Sequence, residues 1–585
     1  MSKKKIIIYQ VFARLFGNDN NARVHNGSIM ENGCGKMSDF TIKALTEIKK
    51  LGITHIWYMG IIEHATQTDY TAYGIPLDHP AIVKGKAGSP FAIKDYYDVD
   101  PDLANDVFKR MKEFESLVSR THRSGLKIII DFIPNHVARQ YHSDVRPADV
   151  VDLGAGDNPD RAFSPRNNFY YIPQTELRGY FDMQAGAIQP YREYPAKATG
   201  NNHFDAHPSI SDWYETVKLN YGVNYTGGGE HGFFPVPDTW EKMLHILLFW
   251  ASKGVDGFRC DMVEMVPVEF WEWCIPQVKS KFSKLIFIAE TYNPTQYRDY
   301  LFRGKFDYLY DKVGLYETLR NIICGYETAS AITRCWQNLG GIEKNMLNFL
   351  ENHDEQRIAS DFFAGDARKA ISALIVSACM NTNPIMIYFG QELGEPGMDQ
   401  EGFSGRDGRT SIFDYWCVNS ICQWRNKNKF DGEKLTEGMK RLRDTYRKIL
   451  VLCNEEPAIA QGSFYDLMYV NQDNWTFNKY KQYAFLRKYK NEVLLILANF
   501  DDLSVEVGIH IPFHAFEFLG LPQLESCTAT DLLTGKEEQI TLSPHKLVHT
   551  SIGARNGKIL KISYSHFLHQ ETGIHVLRDS SLQLV

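Results

Sequence analysis

Eight short apolar runs rich in β-branched and aromatic residues, separated by helical patterns, constrain this chain most: KIIIYQVF at 5–12, THIWYMG at 54–60, LKIIIDFI at 126–133, GVDGFRCD at 254–261, LIFIAE at 285–290, FDYLYD at 306–311, MLNFLEN at 346–352 and NPIMIYFG at 383–390. Runs this continuous suit strands buried on both faces, and strands that alternate with helices make a parallel sheet. Eight such units match a closed (β/α)8, or TIM, barrel. One connecting helix is legible in detail. In TIKALTEIKKLG, Ser38 or Asp39 is placed to cap the start, Leu45, Ile48 and Leu51 share a face, and Gly52 ends it before THIWYMG begins.

The spacing departs from a plain barrel in two places. Between Asp131 and Gly254 lie far more residues than one strand-helix step needs, and 138–235 is rich in Tyr, Asn, Gly and Pro without periodicity. This reads as a subdomain inserted after the third strand. Beyond GMKRLRDTYRKILVLC the pattern changes to short alternating strands, among them QYAFLRKY, EVLLILANF and VEVGIHI. The expected organisation is therefore a catalytic barrel over 1–137 and 236–461, an inserted subdomain over 138–235, and a C-terminal antiparallel β-sandwich over 462–585.

Composition narrows the function classes. Hydrophobic residues at 44% and charged residues at 23% are ordinary for a globular chain. A net charge of -7, with no basic stripe interleaved with aromatics, argues against nucleic acid and acidic membranes as partners. No stretch approaches the length of a transmembrane helix, and MSKKKIIIYQVF lacks the apolar core and cleavage site of a signal peptide. Ten cysteines without paired or metal-type spacing suit reduced thiols and a cytoplasmic address. A neutral substrate fits best, and nothing in the sequence sets an oligomeric state.

Several acids and their neighbours carry chemistry. Asp261 ends GFRCD, where strand alternation puts it on the same side as Arg259, so the guanidinium can hold the carboxylate ionised and oriented. Glu290 ends the apolar run LIFIAE, where desolvation and the charge of Asp261 should keep it protonated near neutrality. Asp354 follows Asn352 and His353 and could hold sugar hydroxyls; alternatively it caps a helix beginning at Glu355. Asp131 to His136, DFIPNH, brings Asn135 and His136 to the loop face. One carboxylate as nucleophile beside one carboxylic acid as proton donor is what cleavage of a glycosidic bond requires.

Taken together, DFIPNH, GFRCD, the Glu of IAET and ENHD resemble, in order and rough spacing, the four signature regions of the α-amylase family, glycoside hydrolase family 13. YQVFARLF, LGITHIWYM, KDYYDVDPD and FSGRDGRTSIFDYW are similar to it as well, so the resemblance spans essentially the whole chain. It implies a retaining glycosidase acting on α-glucosidic bonds of maltooligosaccharides or related α-glucans. Asp261 would be the nucleophile, Glu290 the acid and base, and Asp354 the support for sugar hydroxyls. Arg259, Asp131, His136, His353, Phe91 and Arg357 would make up the substrate-binding set, Phe91 as the aromatic platform. The chemistry needs no cofactor.

The chain also departs from the family. Lys and His often stand three and four places after the nucleophile, serving the leaving-side sugar and, through a backbone carbonyl, a structural calcium; here those places are Glu264 and Met265. Asn135 is kept as a calcium-type ligand, so a structural calcium stays open. Three other readings are a transglycosylase or sugar isomerase with the same intermediate, an inactive sugar-binding or partner-binding relative, and a phosphosugar enzyme. The last lacks a glycine-rich phosphate loop.

Overall fold

The computed structural model describes residues 4–398 and 400–564. The end of the expected C-terminal domain, 565–585, lies outside the described residues.

All eight apolar runs become strands: β1 (Ile7–Phe12), β2 (His55–Met59), β3 (Lys127–Phe132), β4 (Gly257–Cys260), β5 (Ile286–Ala289), β6 (Tyr308–Tyr310), β7 (Met346–Phe349) and β8 (Ile385–Tyr388). They pair in parallel in chain order and close where Ile7 of β1 lies opposite Ile385 of β8. Almost every strand residue is buried, because the inner face packs the barrel core and the outer face packs helices. Parallel order points all eight carboxyl ends to one rim, where Asp131, Asp261 and Glu290 emerge from three adjacent strands.

The first connecting helix is Ile42–Lys49, and its cap is Thr41, whose hydroxyl accepts from the Ala44 N–H at 3.1 Å. Ser38 and Asp39, expected to cap it, instead sit in a separate 3-10 turn over Met37–Asp39, where Asp39 accepts from the Lys36 N–H at 2.7 Å. Thr41 is the residue with the extended backbone that a cap needs, φ −66° and ψ 163°.

Two excursions build up the rim. After β2 the chain forms an antiparallel pair, Ile62–His64 with Ile93–Val99, and so brings Phe91 over the barrel. After β3 it leaves through the short strand His136–Ala138, which pairs with Thr216–Lys218 from the far end of the insertion. That pairing ties the insertion to the rim at both its entry and its exit.

The C-terminal region holds a six-stranded antiparallel sheet in the order Ser463–Asp466, Gln482–Tyr489, Glu492–Asn499, Gly557–Ser563, Leu524–Asp531, Glu537–Leu542, and a two-stranded sheet of Val505–Ile509 with Val548–Ile552. The barrel helix Ile371–Cys379 packs against it, and all of Ser372 to Cys379 is buried. Arg487, wholly buried on the sheet, donates to the carbonyls of Met380 (2.9 Å), Ala458 (3.0 Å), Ile459 (3.0 Å) and Gly462 (2.7 Å).

Candidate active site

A cavity of about 360 Å³ opens at the carboxyl rim, lined among others by Phe91, His136, Asp261, Glu290, His353 and Asp354. A larger cleft of about 440 Å³ between Arg23 and Met439 has, among the described residues, a single carboxylate, Glu395, on its wall. Convergent titratable groups, rather than volume, single out the rim cavity.

Arg259 organises the floor. It is wholly buried, and its Nη1 donates to Asp261 Oδ1 at 2.6 Å while its Nη2 lies 2.9 Å from Glu290 Oε1 and Nη1 lies 3.7 Å from Asp131 Oδ1. Its guanidinium stands within 5.2 to 5.6 Å of the Trp57, Phe91 and Tyr310 ring centres, which leaves the planar fork no other orientation. One cation thus serves three carboxyl groups, and a fourth, Asp354, adds its charge nearby. Four carboxylates around one guanidinium cannot all stay ionised away from water.

The four divide by environment. Asp261 is raised by burial, against which Arg259 pulls through its charge and its short hydrogen bond. Glu290 is pushed up to about 7 by burial and by the Asp261 charge, despite Arg259, as the apolar strand before it led one to expect. Asp131 is pushed up to about 7 by burial. Asp354 is raised by its desolvated position and by the Glu290 charge, but its side chain is 43% exposed and solvent screens part of that shift. Asp261 alone receives a 2.6 Å charged hydrogen bond, which makes it the group best held as an anion.

Glu290 is fixed from three sides. Besides Arg259, its Oε2 accepts from the Met262 N–H at 2.8 Å and its Oε1 accepts from the Tyr292 hydroxyl. Met262 reaches that position only by adopting φ 42°, ψ 50°, a left-handed conformation costly for a residue with a Cβ. Both site histidines are neutral: burial takes His136 down to about 3, and burial with the Arg259 charge takes His353 well below its usual range. His353 Nδ1 meets Gln10 Nε2 at 2.8 Å, and its ring stacks on Phe91 with centres 5.0 Å apart.

Not every expected site residue reaches the cavity. Asp131 lies beneath it, accepting from Trp57 Nε1 at 3.0 Å, and Arg259 lies behind the acids. Arg357 is wholly buried away from it, donating to Glu351 at 2.9 Å and Thr410 at 2.9 Å with its guanidinium 4.0 Å from the Tyr388 ring centre. It does not line the cavity, and it is a buried arginine rather than a surface one. Asp354 caps no helix: the Asp354 and Glu355 N–H groups both donate to Asn352 Oδ1, at 2.9 and 3.0 Å, in an irregular turn. The carboxyl faces the cavity, with its Oδ2 3.2 Å from His353 Nε2.

Residues unforeseen in the sequence complete the wall: Lys84, Trp213, Glu215, Met262, Tyr292 and Phe413. All come from loops. Tyr292, two places after Glu290, Met262, next to Asp261, and Phe413, within FSGRDGRTSIFDYW, had a positional signal.

The residues around Asn135 do not fit a calcium ion. The Lys218 ammonium donates to Asn135 Oδ1 and, at 3.1 Å, to the Met265 carbonyl, the two oxygens that the resemblance offers to the metal. Asn135 Nδ2 is spent on the Gly200 carbonyl at 2.7 Å. Among the described residues no group of three or more His, Cys, Asp or Glu is arranged to hold a metal ion.

A barrel with this rim, and with Asp261 and Glu290 on adjacent strands, defines a class of carbohydrate-active protein. The family described as "Alpha amylase, catalytic domain" matches residues 10–494, and the chain belongs to this α-amylase family of glycosidases. It is 24% identical over 481 residues to Alpha-amylase 3 of Dictyoglomus thermophilum, covering 78% of this chain and 79% of that one. Neopullulanase 2 of Thermoactinomyces vulgaris is 20% identical over 560 residues, 93% of this chain and 77% of the relative. The solved α-amylase of Geobacillus thermoleovorans, complexed with acarbose, shares the fold with TM-score 0.63 at 17% identity, over 97% of this chain and all of the other.

Proposed function

We propose that this protein is a retaining glycoside hydrolase that cleaves α-glucosidic bonds, α-1,4 bonds of maltooligosaccharides first among them, through a covalent glycosyl-enzyme. The observation that carries this reading is the shared Arg259, 2.6 Å from Asp261 and 2.9 Å from Glu290, which leaves one acid as anion and the other as proton carrier at neutral pH. Asp261 attacks the anomeric carbon and its carboxylate forms the ester bond. Glu290 passes its proton to the departing glycosidic oxygen, then removes one from the water that frees the sugar. Asp354, His353 and His136 hold hydroxyls of the reacting sugar, and Phe91 supplies a ring face.

Product analysis tests it. With maltooligosaccharides at low and high acceptor concentration, shorter sugars are expected to dominate in both cases. Predominantly longer or rearranged sugars would replace hydrolysis with glycosyl transfer or isomerisation.

The same reading extends to cation and compartment. Lys218 fills the place of a structural calcium and ties the insertion to the loop after Asp261, so chelator is expected to leave the melting temperature unchanged. Lys218→Met, which strands Asn135 Oδ1 and the Met265 carbonyl, is expected to cost about 2–4 kcal/mol. A chelator-induced fall in melting temperature in the wild type would return the metal to the site. The scattered cysteine spacing supports a reducing, cytoplasmic setting, with Cys417 Sγ and Cys422 Sγ, 2.6 Å apart, as a pair placed to oxidise. No helix among the described residues is long and apolar enough to cross a membrane.

A further inference from the structure

Glu264 stands three places after Asp261, where the family resemblance leads one to expect a lysine, and it does not line the cavity. Its Oε1 accepts from the backbone N–H groups of both Tyr292 and, at 3.1 Å, Asn293, which are the second and third residues after Glu290. A half-buried carboxylate that gathers two consecutive N–H groups fixes the backbone of that loop. The loop carries one side chain into the cavity, Tyr292, and its hydroxyl donates to Glu290 Oε1.

We infer that Glu264 is a positioning residue for the proton donor: by holding the 292–293 backbone it aims the Tyr292 hydroxyl at Glu290 Oε1, so the release of the acid's proton is set from the nucleophile's own loop. This rests on the reading of Glu290 as the acid. The charged and titratable groups facing Glu290 are Arg259 and Asp261 from β4 and its end, Asp354 from the loop after β7, and Tyr292 from its own loop. Tyr310 of β6 contacts Arg259 and also feels the Glu290 charge directly, Asp131 of β3 acts on it through Arg259, and Lys312 lies 5.9 Å from the Tyr292 ring centre. Of these, Tyr292 is the donor whose direction depends on loop geometry, because Arg259 and the Met262 N–H are fixed by β4 and its turn.

The sign follows from the donor. A hydroxyl that donates to a carboxylate favours the ionised form, so it lowers the value that burial has raised. Losing it raises Glu290. When Glu290 is protonated, the same hydroxyl can turn and accept.

The test follows Glu290 itself. In the full chain labelled with 13Cδ-glutamate, its resonance is assigned by its loss in Glu290→Gln and titrated with pH. Tyr292→Phe is expected to move the titration up by about one pH unit, the scale of one hydrogen bond to a charged group. Glu264→Ala is expected to move it the same way, and Glu264→Gln, which keeps a carbonyl acceptor, to restore it. The double variant Glu264→Ala with Tyr292→Phe should titrate like Tyr292→Phe alone, because the two act through one bond. An unmoved titration in Tyr292→Phe overturns the inference, and that variant keeps the backbone intact even if Glu264→Ala fails to fold. A further shift when Glu264→Ala is added to Tyr292→Phe overturns it as well. The two readings fail separately: turnover of maltooligosaccharides with a flat Tyr292→Phe titration removes only this inference, and the expected shifts in an enzyme without turnover remove only the glycosidase reading.

Discussion

Asp261→Asn is expected to lower kcat on maltooligosaccharides by about 10⁴-fold or more while the protein stays folded. The scale follows from deleting a nucleophile whose partners act as a unit with it. The amide still accepts from Arg259 Nη1, so the 2.6 Å contact that organises the floor has a substitute. It also removes one negative charge from a buried set that includes Glu290 and Asp354. The melting temperature is therefore expected to hold or rise, as at other sites where function stores repulsion. Steady-state kinetics and circular dichroism melting together check this, and a rate within tenfold of wild type would leave Asp261 without the nucleophile's role.

Glu290→Gln should separate leaving groups. Bonds whose oxygen needs a proton are expected to slow by about 10²–10⁴-fold, the usual yield of a positioned general acid. A maltosyl fluoride, whose leaving group needs none, should still react with Asp261 and then stall, because no base remains to activate water. The stalled species is a protein heavier by one maltosyl unit, visible by intact mass. In the wild type, kcat/KM should fall as pH rises through about 7, since burial and the Asp261 charge hold the Glu290 proton to that point and its loss disarms the donor. That alkaline limb should be missing in Glu290→Gln. An unchanged limb would assign the proton to another group.

The barrel and the placement of Asp261 and Glu290 at its rim were legible in the sequence for one reason: strands buried on both faces leave continuous apolar runs, and a carboxylate at the end of such a run has nowhere to go but the rim. Asp261 and Glu290 were found that way. Asp131 and Arg357 show where the pattern stops. Both sit at motif positions, yet Asp131 hydrogen-bonds Trp57 beneath the floor and Arg357 is enclosed by Glu351, Thr410 and Tyr388. Which side of a packed layer a polar residue faces depends on contacts far away in the chain. Trp213 and Lys84 were invisible because loops carry no period, and Lys218 because its partners, Asn135 and the Met265 carbonyl, meet it only after the insertion folds back.

The buried helix Ile371–Cys379 has a consequence for how this chain is made and inherited. Its inner side covers the barrel and its outer side is covered by a sheet whose neighbouring strand ends at Ser563. During synthesis the ring of strands can close once Tyr388 has emerged, but the main strand covering that helix, Glu492–Asn499, follows only about 110 residues later and the last, Gly557–Ser563, about 175 residues later. The nascent barrel therefore spends its longest wait with one wall unfinished. A recombination event that exchanged the terminal sheet for a relative's would have to carry this helix and the four carbonyls gripped by Arg487 along with it, so the heritable module begins well before the apparent domain boundary.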